Sequence, residues 1–497
     1  MFYSMVQRVP EADAIIHGES RVTYEKLWNL SCSVAQYLNQ QGMQKDERVS
    51  ILLENSAEYV AIYYGAQAAG GVAVGLNTAA KARDLENWIR HCGATWLFAN
   101  ESHPELLKLL QRLDNNVKII ILGKNNNIET GNDWNSIVNI DASNFSLSKL
   151  DNPNTAATII YTSGTTGSPK GVTLSHKNLV SNIQSILAYL KLSKNDRILN
   201  VLPFYYTYGN SVLHTHLSVG GSIILENSMM YPNRILEKIV NEKVTGFSGV
   251  PSTFALLLGR TNLRDYDLSS VRYMTQAGGP MPPAKIRQLM DNIPHIKFFV
   301  MYGQTEASAR LTYLPPEQLF NKIGSIGKPI PGVEIEIRDE YDNIVCGREI
   351  GEICARGNNI MLGYWEDMDA TNKVIKNGWL HTGDLAHQDA DGYIYIDGRS
   401  SEMIKTGANR ISPKEIEEII TEIPQVQEAV VVGVPDEILG QIIKAVIVIR
   451  QNNVLKKLDV QSYCKNNLAD YKVPKIIEFT NEIPKTSSGK IQRFKLQ

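Results

Sequence analysis

Short apolar runs and amphipathic stretches take turns along the first quarter of the chain. Leu27, Leu30, Val34 and Leu38 recur at helical spacing behind Thr23, a residue suited to cap a helix that ends near Gly42. VSILLEN (49–55) has the length of a buried strand, and EYVAIYYGAQAAG (58–70) reads as a helix stopped by glycine. GVAVGLN predicts a second strand, DLENWIRHCG a second helix, TWLFAN a third strand and VKIIIL a fourth. Strands this short, separated by helices, predict an α/β fold with a parallel, helix-covered sheet. Residues 123–154 are polar and asparagine-rich and predict a surface loop.

The last hundred residues carry a different pattern. In DADGYIYIDGR (389–399), Asp391-Gly392 sits where a hairpin turn belongs, ahead of alternating apolar residues. SPKEIEEIITEI (412–423) opens as a capping box, with Ser412 as cap, Pro413 at the first helical position and Glu415 after it. Strands EAVVVGV and IIKAVIVI, a helix near 457–469 and strand KIIEF complete a compact α+β unit with its own core. The expected organisation is a large domain over 1–397 and a smaller one over 398–497, meeting near Gly398-Arg399.

A length of 497 residues is too great for one ordinary domain and agrees with that division. A net charge of -2 gives no reason to expect a nucleic-acid surface. No apolar run reaches the roughly 18 residues of a membrane span, and the N-terminus lacks the pattern of a signal peptide. Cys32, Cys92, Cys346, Cys354 and Cys464 are odd in number and scattered. They argue against a disulfide framework or a zinc site and fit a cytoplasmic protein.

The candidate chemistry begins where a core strand ends. After AATII (156–160) the chain continues as YTSGTTGSPKG (161–171), which can bury almost nothing. A flexible linker would explain the composition but not the position, between a buried strand and an amphipathic helix at about 177–190. The nucleotide loop G-x-x-x-x-G-K-[ST] fails, because Pro169 precedes Lys170 and Gly171 follows it. A polyphosphate remains a suitable partner: glycines let backbone N–H groups crowd an anion, Ser163, Thr165 and Thr166 add hydroxyl donors, and Lys170 adds charge.

YTSGTTGSPKGV resembles the phosphate-binding signature of the adenylate-forming superfamily, which includes acyl-CoA synthetases, peptide-synthetase adenylation domains and firefly-type luciferases. MYGQTEAS (301–308), GEICARGNNIMLGYW (351–365), GWLHTGDLA (378–386), GRSSEMIKTGANRISPKEIE (398–417) and PKTSSGKI (484–491) resemble its other motifs, in the family's order. The resemblance implies AMP-dependent ligase chemistry: a carboxylate attacks the α-phosphorus of ATP, giving acyl-AMP and pyrophosphate, and a thiol then displaces AMP. It implies that Thr162, Ser163, Gly164, Thr165, Thr166 and Lys170 hold the β- and γ-phosphates. Thr305 then meets the α-phosphate, and Glu306 holds magnesium. Tyr302 lies against adenine, opposite Gly278, Gly279 and Pro280. Asp384 accepts the ribose hydroxyls with help from Arg399. Lys490 bridges carboxylate and α-phosphate from a mobile C-terminal domain, which swivels about Ser401, where the family usually carries Asp or Lys.

LPFYYTYGNSVLHTHLSVGGSIIL (202–225) resembles the helix start that lines the acyl pocket, which implies Tyr206 at the substrate, as the resemblance of MYGQTEAS (301–308) implies Gly303. No acidic residue occurs there to pair with a substrate ammonium, which points to a fatty or other organic acid. The thiol stays open between coenzyme A and the phosphopantetheine of a separate carrier protein. The loop KTGANR has one glycine where several CoA-using relatives have two. A nucleotide-binding scaffold that has lost ligase activity is the alternative of another class; intact Lys170, Glu306, Asp384 and Lys490 argue against it. A serine hydrolase is disfavoured because no G-x-S-x-G elbow occurs.

Overall fold

The computed structural model describes residues 1–123, 134–142, 145–147, 152–162, 170–399, 402–406, 409–436, 439–451, 453–485 and 491–497. Thr23 caps the helix Tyr24–Gln40 through a hydrogen bond from the Lys26 N–H, and Leu27, Val34 and Leu38 are fully buried along its inner face. The strands read from the apolar runs form at Arg48–Leu52, Val72–Gly75, Trp96–Asn100 and Lys118–Leu122, with Ala57–Ala68 and Ala82–His91 as helices between them. They pair in parallel with one another and with Ala156–Thr162.

A second large sheet runs in the order Lys328–Pro329, Thr312–Leu314, Lys297–Tyr302, Tyr273–Gln276, Gly246–Gly249, Arg197–Asn200, Ser222–Leu225, Asp13–His17, Ser20–Thr23. Its interior pairings are parallel and its outer ones antiparallel. One apolar core joins the two large sheets. Val49, Ile51 and Phe98 from the first meet Ile15, Ile198 and Ile223 from the second through helices Tyr24–Gln40, Ala57–Ala68 and Thr207–Leu217. A sheet of antiparallel strands, including Gly351–Gly357, Trp379–Gln388 and Ile394–Arg399, leads to the smaller unit. There Ile404, Ile416, Ile420, Val431, Ile447 and Val460 form a separate core.

Three local expectations change. The stretch 123–154 is more than a loop: Trp134–Val138 is a helix with Ile137 buried, and the Trp134 ring lies 6.5 Å from Phe98. Five residues make too little of a helical period to read in a polar background. The helix after the glycine-rich loop starts earlier, at His176, because Ser175 and Asn178 form a reciprocal capping box. Ser412 does sit at the N-cap of Pro413–Thr421, but its hydroxyl donates to the Asp397 carbonyl instead of capping, and Glu415 pairs with Lys472. The Asp391-Gly392 turn forms as read, with Gly392 at φ +81° joining Trp379–Gln388 to Ile394–Arg399.

Candidate active site

The glycine-rich stretch connects two paired strands. Strand Ala156–Thr162 pairs antiparallel with Lys170–Ser175, and Thr162 stands opposite Lys170. The second strand lies between loop and helix, where the sequence reading ran one directly into the other. Ser163, Gly164, Thr165 and Thr166 lie outside the described residues. Lys170 points its Nζ at the Tyr364 ring, 5.1 Å from the centroid, and the Tyr364 hydroxyl donates to Glu306 Oε1 at 2.9 Å. Burial, reinforced by the Glu306 charge, pushes the Tyr364 phenol far above its ordinary range, so it remains a donor. Strand Gly363–Tyr364 pairs with Lys170–Ser175, which fixes Tyr364 between the loop lysine and the glutamate.

Glu306 and Thr305 occupy one 3-10 turn, Thr305–Ala307, that follows strand Lys297–Tyr302. Thr207 Oγ1 donates to Thr305 Oγ1 at 2.9 Å, and this ties the turn to the first residue of helix Thr207–Leu217. Tyr206 is the N-cap residue of that helix; its hydroxyl accepts from Asn77 Nδ2 at 3.2 Å. Gly303 lets the chain fold back on itself, since any Cβ there would overlap the Ala309 carbonyl. The two residues expected at the substrate, Tyr206 and Gly303, thus flank the Thr207–Thr305 contact.

A third group forms where the antiparallel sheet meets the second large sheet. Tyr302 donates its hydroxyl to Asp384 Oδ2 at 2.7 Å, and Arg399 Nε lies 2.9 Å from Asp384 Oδ1. Asp384 and Arg399 are cross-strand neighbours, with Asp384 buried and Arg399 39% exposed at the side chain. Burial and the Asp384 charge hold the Tyr302 phenol protonated. Gly278, Gly279 and Pro280 leave strand Tyr273–Gln276 as an exposed turn, with Gly278 at φ +85° and the Gly279 carbonyl accepting from Gln276 Nε2 at 2.6 Å.

Several residues of the site gave no signal of their own in the sequence. Glu352 Oε1 accepts from the Gly383 N–H at 2.7 Å and Oε2 bonds His381 Nδ1 at 2.9 Å, bracing the turn that presents Asp384. Cys354 Sγ completes a trio whose ligand atoms all lie within 4.8 Å of one another. Metal-ligand types therefore do meet here, although no C-x-x-C pattern announces them; they come from facing strands. Both Glu352 oxygens already have protein partners. Thr207 and Tyr364 lie inside motif-bearing stretches, yet only the fold shows what they touch. Lys490 and Ser401 lie outside the described residues. Near them, Lys485 bridges to Ile491, and Lys414 Nζ donates to the Ile396 carbonyl at 2.9 Å, fastening helix Pro413–Thr421 to strand Ile394–Arg399.

The AMP-binding enzyme family model matches residues 2–365, and the model of its C-terminal domain matches residues 415–490. A long-chain-fatty-acid–CoA ligase of Bacillus subtilis (strain 168) is 31% identical, over 98% of this chain and 92% of its own. Among solved structures, an anthranilate CoA ligase in complex with anthranoyl-AMP superposes with TM-score 0.90 at 28% identity, covering 100% of this chain and 96% of the other. An o-succinylbenzoate CoA synthetase from Bacillus subtilis, in complex with ATP and magnesium ion, superposes with TM-score 0.86 at 28% identity, covering 100% and 98%. The chain belongs to the AMP-binding enzyme family, within the adenylate-forming superfamily that its motifs resemble, and is an ATP-dependent, AMP-forming ligase that activates a carboxylic acid.

Proposed function

We propose that the chain is an acyl-CoA synthetase in which the segment 162–170, the turn 305–306 and the Asp384–Arg399 pair hold one ATP for attack by a carboxylate. The observation that carries this reading is the pair of links on the Thr305–Ala307 turn: Tyr364 joins it to Lys170, and Thr207 joins it to the helix that starts at the acyl side. A carboxylate oxygen attacks the α-phosphorus, the bond to pyrophosphate breaks, and acyl-AMP forms. A coenzyme A thiolate then adds to the acyl carbon and AMP leaves with the electron pair of the broken C–O bond. Both partners of the first step are anions, so the chain's contribution is placement and charge compensation.

Lys170 neutralises the distal phosphates and Thr305 donates to the α-phosphate. Asp384 accepts from the ribose hydroxyls, its own position held by Tyr302 and Arg399. Glu306 fits magnesium, since it offers a carboxylate linked through Tyr364 to Lys170, and hard cations favour such oxygens shared with phosphate. When bound, magnesium would compensate phosphate charge. Lys490 is assigned to the reacting carboxylate and α-phosphate, and Ser401 to the hinge between a domain of residues 1–397 and one of 398–497. The separate cores of the two units support that division.

Carboxylate-dependent ATP–pyrophosphate exchange, run over fatty, aryl and amino acids, tests the reading. Exchange with an organic acid, followed by AMP release on adding coenzyme A, is the expected result. Transfer only to a carrier protein would replace the acceptor, and absence of exchange in ATP-binding protein would overturn the reading.

A further inference from the structure

Arg310 follows the Thr305–Ala307 turn and is only 3% exposed. Its contacts are weak in charge. Nε donates to Met301 Sδ at 3.3 Å, Nη1 donates to the Ala309 carbonyl at 3.1 Å, and the guanidinium lies 4.4 Å from the centre of the Tyr208 ring. Among the described residues no carboxylate lies within ion-pair distance, and the further side-chain contact is a hydrogen bond with the neutral Tyr189 phenol. The neighbouring phenols do not supply a negative charge, because burial raises Tyr189 and Tyr208 above their ordinary range. A guanidinium stays protonated, and burying it without an anion is costly.

The protein also constrains the backbone to put this cation there. Ser308 and Ala309 adopt φ values of +53° and +106°, which L side chains rarely take and which cluster at functional sites. Asn182 and Asn359, both buried, donate their amides to the Arg310 carbonyl at 3.2 and 2.9 Å. Ser308 Oγ donates to the Asn359 carbonyl at 2.7 Å. Tyr208 is fixed in turn by its bonds to Thr275. The charge sits between helix Thr207–Leu217 and the turn 303–310, the same two elements that meet at Thr207 and Thr305.

We propose that Arg310 is a specificity-determining residue that binds a second carboxylate of the substrate, so that the acid activated is a dicarboxylic acid whose reacting end lies at Thr305. This rests on the acid-activating reading above and narrows its substrate class. A site built around a buried polar donor discriminates strongly against an analogue that leaves the donor unpaired. The guanidinium geometry suits a carboxylate bound through two parallel hydrogen bonds.

The test is ATP–pyrophosphate exchange on matched acids: straight-chain acids of increasing length, each against its ω-carboxylate counterpart, and benzoate against the carboxybenzoates. The wild-type enzyme is expected to favour one dicarboxylate over its neutral partner by about 10²-fold or more in kcat/KM. Arg310→Met should erase or invert that ratio without moving the KM for ATP, and Arg310→Lys should retain part of it. The wild-type ratio decides the matter alone if Arg310→Met does not fold. Neutral acids used as well as or better than their dicarboxylate partners would overturn the proposal and leave the ligase reading intact. So would an Arg310→Met variant that weakens both partners equally or raises the KM for ATP. Exchange with no acid at all would overturn both.

Discussion

Asp384 shows what a single side chain does and how far its role can be read in advance. The string TGDL marks it as the residue matching the ribose acid, and that much is legible without coordinates. Its partners are not: Tyr302 belongs to another motif and Arg399 to the neighbouring strand, and only the fold sets them 2.7 and 2.9 Å away. Asp384→Asn keeps an oxygen to accept from the Tyr302 hydroxyl but loses the charge. Hydrogen bonds to charged groups contribute about 1.5–3 kcal/mol, so affinity for AMP is expected to fall about tenfold to a hundredfold with folding preserved. Titration calorimetry with AMP measures this; unchanged affinity would take Asp384 out of the nucleotide site. Arg310 marks the opposite limit, because a lone arginine in a sequence carries no sign that it will be buried without an acid.

At the scale of elements, periodicity resolved the long helices and buried strands, since each apolar stripe had one face to cover. It failed for Trp134–Val138, which is shorter than two turns, and for strand Lys170–Ser175, whose glycine and hydroxyl residues look like loop. Helix Thr207–Leu217 has a consequence of its own. It buries His214 and His216, whose imidazoles burial holds neutral with values lowered to about 3 and about 4 from 6.5. The unfolded chain binds protons on these groups below about 6.5, so stability is complete above that pH and declines as pH falls through the window. Each group contributes a slope of up to about 1.4 kcal/mol per pH unit. Thermal unfolding between pH 7 and 5, above most carboxylate titration, should show this decline, and His214→Phe should make it shallower. A flat profile would mean that both imidazoles are charged in the fold. In the smaller unit, Arg493 pairs with Glu417 and Glu402 and donates to the Val431 carbonyl, holding the final residues to helix Pro413–Thr421. Arg493→Ala leaves the largely buried Glu417 without a counter-charge, its bond from the Val431 N–H remaining, and a loss of about 3 kcal/mol in denaturant titration is expected. A loss near zero would show that water replaces the guanidinium freely.

For the whole molecule, the separate core of the small unit and its attachment through Lys414 and Ser412 matter more than any one contact. The nucleotide-holding groups Lys170, Glu306, Tyr302 and Asp384 all precede residue 398, whereas Lys490 follows it. If Lys490 serves the first half-reaction alone, the small unit must bring it to the α-phosphate and later withdraw it for the thiol. Two substitutions separate these demands. Lys490→Ala should abolish adenylation, measured by pyrophosphate exchange, yet largely spare thioester formation from supplied acyl-AMP. Ser401→Pro fixes one backbone angle and should do the reverse, preserving exchange while blocking thioester formation. The opposite signs are the informative feature, because a general loss of folding would lower both half-reactions together. Equal loss of both half-reactions in Lys490→Ala would contradict its assigned role, and normal overall turnover in Ser401→Pro would move the hinge elsewhere.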